Sequence, residues 1–123
     1  MGSFCFEQTV LNWPITVDIT RVGADWLVKI WGGCRPHIGS VCAARFEDDK
    51  VHLQKILFPT HRDDVVGDRF AEALARQLKA TVVVTCGIHY DNPGREGLQQ
   101  IVHCTEQLLC EVLERVSSEC GHA

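Results

Sequence analysis

From Ile15 to Pro59 hydrophobic residues alternate along strand-like runs, and through most of the chain beyond it they recur at helical spacing. Such a chain is neither an all-helical bundle nor an all-strand sandwich. Residues 15–20 set Ile15, Val17 and Ile19 on one side and Thr16, Asp18 and Thr20 on the other, the pattern of a half-buried strand. Val22-Gly23-Ala24-Asp25 reads as a tight turn, so residues 26–31 form the second arm of an antiparallel hairpin. A third strand is expected over 38–46, where the small Gly39, Ser40, Ala43 and Ala44 admit close approach of another backbone or a ligand. Glu47-Asp48-Asp49-Lys50 is a polar turn, and residues 51–58 form a fourth strand. Residues 1–13 show no clear period; Phe4, Phe6 and Trp13 are expected to cover a sheet edge.

Beyond Pro59, Thr60 and Asp63 resemble a helix cap. Val66, Phe70, Leu74 and Leu78, flanked by Ala71 and Ala75, then make one apolar stripe on a helix reaching about Lys79. Residues 81–86 read as a short buried strand. Asn92 before Pro93 marks the start of a last helix over 94–117, whose Leu98, Ile101, Val102, Thr105, Leu108, Leu109, Val112 and Val116 keep a helical period. Residues 117–123 are expected to be a frayed tail. The expected fold is α+β: a mostly antiparallel sheet, made of a four-strand meander plus one strand, with two helices packed on one face, in the order ββββαβα. The chain reads as one domain, 1–123, with a core over about 15–117. The Thr16/Asp18/Thr20 face is too polar for a buried dimer face. A homodimer is therefore expected through an edge strand or a helix.

The net charge of −4, with no basic run, argues against a nucleic-acid binder. No apolar run approaches transmembrane length. Seven scattered cysteines, without a Cys-x-x-Cys pair or a legible secretory leader, fit free thiols in a reducing cytoplasm. The opening Met1-Gly2 and the closing Cys120-Gly121-His122-Ala123 depart from myristoylation and prenylation patterns at Phe6 and at their non-aliphatic middle residues.

Two loops hold the chemistry. Gly32-Gly33-Cys34-Arg35-Pro36-His37-Ile38-Gly39 packs glycines, a proline, a guanidinium, an imidazole and a thiol into eight positions. Glycines free backbone N–H groups to face an anion, Arg35 is a planar fork for phosphate or carboxylate, and His37 titrates near neutrality. The second loop, Gly87-Ile88-His89-Tyr90-Asp91-Asn92-Pro93-Gly94, places His89 after a strand and Asp91, Asn92 and Arg95 at a helix start, where the dipole favours an anion. The candidate ligand-binding set is Gly32, Gly33, Arg35, Pro36, His37, Gly39, His89, Asp91, Asn92 and Arg95. The bland alternative is a glycine-rich turn and an ordinary cap with solvated charges. Neither loop matches a phosphate-loop or dinucleotide fingerprint. Cys34/His37 and Cys86/His89 are two Cys-x-x-His pairs, which leaves open a Cys2His2 zinc site. A small enzyme with Cys34 as nucleophile beside His37 or His89 also stays open. Binding without catalysis is favoured, and no catalytic residue or bound metal is assigned.

The paired motifs, about 50 residues apart over residues 15–117, resemble the small bacterial prenylated-flavin chaperone-like family. That family includes the small D subunit of gallate-type decarboxylases. The family's fold is similar to that of the fourth eukaryotic proteasome assembly chaperone. Cys34 and Arg35 occupy variable positions of its Gly-Gly-x-x-Pro-His-Ile-Gly pattern. The resemblance implies a non-enzymatic helper that holds or delivers prenylated flavin mononucleotide for a flavin-dependent decarboxylase. The alternative is a protein-assembly chaperone acting through its surface.

Overall fold

The computed structural model describes residues 2–58 and 64–120. The expected cap at Thr60 and Asp63, Pro59 before it, and residues 121–123 lie outside the described residues. Six strands are present: β1 Ser3–Val10, β2 Trp13–Val22, β3 Asp25–Gly33, β4 Ser40–Glu47, β5 Lys50–Leu57 and β6 Val82–His89. Helix α1, Asp64–Leu78, precedes β6, and helix α2, Gly94–Cys120, follows it. The architecture is the α+β one expected, with one more strand. Helix α2 also runs past the expected end at 117.

The added strand is β1. Residues 3–10 pair antiparallel with β2, aligning Phe4 with Ile19 and Phe6 with Val17. Its alternation is diluted by Gln8 on the inner side and Cys5 on the outer side, which hides the period in the sequence. The β1–β2 turn uses Leu11 and Asn12 at φ 53° and 73°. Two left-handed residues match the right-handed twist of a tight hairpin. Asp48 and Asp49, at φ 56° and 64°, do the same between β4 and β5.

The sheet order is β1-β2-β3-β6-β4-β5. It is not the simple meander expected, because β6 enters between β3 and β4. β6 runs parallel to β3 and antiparallel to β4. Every other neighbouring pair is antiparallel.

One sheet face carries Ile15, Val17, Ile19, Trp26, Val28, Ile30, Cys42, Ala44, Val82, Val84 and Cys86, all buried. Both helices cover this face with Phe70, Leu74, Ile101, Leu108, Val112 and Val116. Each fully buried aliphatic or Phe side chain here stabilises the fold by about 1.5–3 kcal/mol. Leu98 and Val102 keep the helical period but are 54% and 43% exposed, off the buried stripe. The opposite face carries Asp18, Lys29 and Thr85, interleaved with the half-buried Leu27, Trp31, Val41 and Val83.

Candidate functional site

The parallel pairing of β3 with β6 builds the site. It places Gly33 directly across from His89, so both strands end at the same edge of the sheet. The chain must then reach β4, on the far side of β6. Residues 34–39 therefore cross two strand spacings, about 9.5 Å, around the end of β6. The first loop is thus no hairpin connection but a strap across a neighbouring strand.

Backbone contacts hold that strap. The Cys34 N–H donates to the His89 carbonyl at 2.8 Å. The Gly39 N–H donates to the Cys86 carbonyl at 2.9 Å, and the Gly39 carbonyl accepts from Phe58 N–H at 3.0 Å. A Cβ at Gly33 would lie 1.9 Å from the His89 carbonyl oxygen, and one at Gly87 would lie 1.7 Å from that of His37. Gly33 also has a φ of 86°. These glycines serve close backbone approach. Gly32 does likewise against Ile15 and Pro14 of β2. The N–H groups of Cys34 and Gly39 are consumed inside the protein, so they do not form the anion cradle that the glycines suggest.

The side chains that converge are Cys34, Arg35, His89 and Asp91. An Arg35 guanidinium nitrogen lies 3.0 Å from Asp91 Oδ1. His89 Nε2 lies 2.8 Å from the same oxygen, and 3.0 Å from that Arg35 nitrogen. One ring nitrogen cannot donate to Asp91 and accept from Arg35 at once. The Asp91 carboxyl is held below its ordinary pKa by the His89 bond first and by the Arg35 bond next, with a smaller part from Cys34. The Cys34 thiol also reaches the His89 carbonyl at 3.5 Å.

Other expected members stand apart. His37 is half-buried, and its Nδ1 lies 3.1 Å from the Arg35 carbonyl oxygen. Pro36, Asn92 and Arg95 do not join the cluster: Asn92 is exposed on the far loop, Arg95 in the first turn of α2, and Pro36 on the strap. Asn92 has a φ of 45° and Gly94 one of 72°. An N-cap residue sits in the extended region, so Asn92 is a turn residue rather than the expected cap. Cys86 is fully buried among core side chains. It sits three positions before His89 on a strand, so the two project to opposite faces. The Cys2His2 set therefore does not assemble. Asp91 takes its place in a Cys34, His89 and Asp91 group whose donor atoms lie within 4.8 Å of one another.

Trp31 is a neighbour that the sequence reading did not single out. It aligns with Gly87 on the uncovered face, one pair before Gly32 and Ile88. Its separation from the buried Trp26 by five positions was the available signal, because an odd step along a strand reverses the face. Trp31 is half-buried on this face, and the exposed Arg35 follows four residues on, in the strap. A groove of about 360 Å³ lies elsewhere, between β1 and the start of α2, lined by Gln8, Val10, Glu96, Gln99, His103 and Cys104 among others.

Comparison with known proteins agrees with this architecture. The family of prenylated flavin chaperone LpdD-like domains matches residues 9–117. Protein LpdD of Lactiplantibacillus plantarum is 24% identical over 118 residues, covering 92% of this chain and 83% of that protein. A chain in the crystal structure of a chaperone complex for yeast 20S proteasome assembly superposes with a TM-score of 0.53 at 11% identity, covering 97% of this chain and 98% of that one. The last likeness is one of fold.

Proposed function

From the premise that this chain belongs to the family of prenylated flavin chaperone LpdD-like domains, we propose that it binds a prenylated flavin mononucleotide and passes it to a flavin-dependent decarboxylase, without catalysing a reaction itself. The observation that carries this reading is the pairing of Gly33 with His89, which joins the two motif loops at one end of the sheet, where this chain adds Arg35. Its side chain is 70% exposed yet held by Asp91 at the shared end of β3 and β6. There it meets a phosphate as a planar fork, while Trp31 offers the ring a stacking surface. Residues 32–39 and 87–95 frame this site.

The test is direct titration with prenylated flavin mononucleotide, in each oxidation state, beside the unprenylated cofactor. Arg35→Ala is expected to weaken binding by roughly tenfold, as loss of a charge-assisted contact does. Unchanged binding by Arg35→Ala sinks the site. No binding of any prenylated form by the wild-type chain sinks the function. Delivery is read by mixing the loaded chain with an apo-decarboxylase and following decarboxylation.

A second reading, protein assembly through the surface, has its own support. β5 is an edge strand with Leu53 40%, Ile56 59% and Leu57 42% exposed, followed by Phe58 at 40%. Exposed apolar edges invite strand pairing. We assign this edge to contact with a client or with a second copy, as a homodimer. Ile56→Lys is expected to lower the mass seen in sedimentation; a monomeric wild-type chain that pulls down no client refutes this use.

A further inference from the structure

We propose that Cys34, His89 and Asp91 form an open zinc site, with three protein ligands and a fourth position left for an exchangeable oxygen ligand. The donor set is one thiolate, one imidazole and one carboxylate, all ligand types that Zn²⁺ accepts. Their donor atoms lie within 4.8 Å of one another. Ligands around a tetrahedral zinc stand about 3.3–3.8 Å apart, given bonds of about 2.0–2.3 Å. Closing onto an ion therefore needs side-chain shifts of about 1 Å.

The backbone under these ligands is already set. Cys34 N–H is bonded to the His89 carbonyl, and Gly33 packs against that same carbonyl with no room for a Cβ. The strap thereby fixes Cys34 beside His89. Asp91 follows two residues later and turns back to reach Nε2.

The metal-free arrangement has a polar conflict that an ion removes. Nε2 carries either a proton, which then faces the Arg35 N–H, or a lone pair, which then faces the Asp91 oxygen, so one of the contacts at 3.0 and 2.8 Å is mismatched in either tautomer. The guanidinium is occupying the place of a cation between an imidazole and a carboxylate. It can leave, since its side chain is 70% exposed. Once it swings out, the neutral ring carries its proton on Nδ1 instead, so the Nε2 lone pair and the Asp91 carboxylate both face the vacated position. Cys34 binds as the thiolate and releases its proton to solvent. Arg35 then stands beside the ion, where it favours an anionic oxygen as fourth ligand.

This proposal shares its location with the flavin reading but needs no flavin. Arg35 separates the two. Removing it weakens phosphate binding, yet it removes a competitor for the metal. Zinc binding by Arg35→Gln should tighten by about two- to fivefold, the value of an exposed ion pair.

The experiment titrates the reduced, chelator-treated full chain with Co²⁺ as a spectroscopic stand-in, followed by Zn²⁺ competition. The expected result is one cobalt per chain, with a thiolate-to-cobalt charge-transfer absorption that Zn²⁺ abolishes. Cys34→Ser should remove that absorption. Asp91→Asn, a change at an exposed residue, should weaken binding by tenfold or more while leaving the circular dichroism unchanged. A wild-type chain without the charge-transfer band overturns the proposal. So does a band that survives Cys34→Ser, which would put the metal on another thiol, or an Asp91→Asn chain that binds like wild type.

Discussion

Replacing Gly87 by alanine tests the strap around β6 most sharply. The new Cβ would lie 1.7 Å from the His37 carbonyl oxygen and 2.3 Å from its carbon. Both are backbone atoms, so no side chain can rotate away. The His37 peptide must retreat by more than about 1 Å, an overpacking cost of about 1–3 kcal/mol. That retreat also pulls on the Gly39-to-Cys86 and Phe58-to-Gly39 hydrogen bonds, at 2.9 and 3.0 Å. Each contributes about 1 kcal/mol. The expected loss is about 2–4 kcal/mol, or on the order of 8–15 °C in Tm for a chain of this length. Thermal and urea unfolding by circular dichroism measure it. Gly23→Ala is the control: it has a φ of 62° and nothing within 4 Å of the added carbon. It should lose only the left-handed backbone preference, about 1 kcal/mol. If Gly87→Ala is no less stable than Gly23→Ala, the strap is not packed as described.

Further outcomes are expected. Burial, followed by the bond to Asp68, pushes the Cys42 thiol up to about 12. Alkylation of the native chain should therefore mark the exposed Cys5 and Cys110 and reach Cys42 only on unfolding, as peptide mass mapping would show. Asp91 has a depressed pKa in the folded chain, through His89 first and Arg35 next. Its pairing is thus complete above the ordinary carboxylate range and is lost as pH falls through and below it. The His89 ring resonances should shift in that acidic window, and Asp91→Asn should abolish the shift. Leu108→Ala, at a fully buried site, should cost about 2–5 kcal/mol in urea unfolding. Leu98→Ser should cost less than about 0.5 kcal/mol, since Leu98 is 54% exposed; equal losses would overturn the assignment of the α2 faces.

Much of the fold was legible locally. The alternation at Ile15, Val17 and Ile19 and the stripe at Phe70, Leu74 and Ala75 landed on the core because each period matches one backbone geometry. β1 was not legible, because Gln8 and Cys5 blur its alternation and the Leu11-Asn12 turn carries no glycine. The two loops were recognisable as unusual by residue type. Their internal roles were not: Asn92 does not cap, Arg95 does not join, and Cys86 points into the core.

By itself, the sequence determined the class of the fold, the two chemically loaded loops and their resemblance to prenylated-flavin chaperones, because periodicity and motif residues are local properties. Only the tertiary structure decided that β6 lies between β3 and β4, parallel to the first. Strand neighbours are chosen by packing between residues some fifty positions apart, and no local pattern encodes that choice. That insertion turns an apparent hairpin loop into a strap and sets Gly33 across from His89. It also gathers Cys34, Arg35, His89 and Asp91 at one end of the sheet.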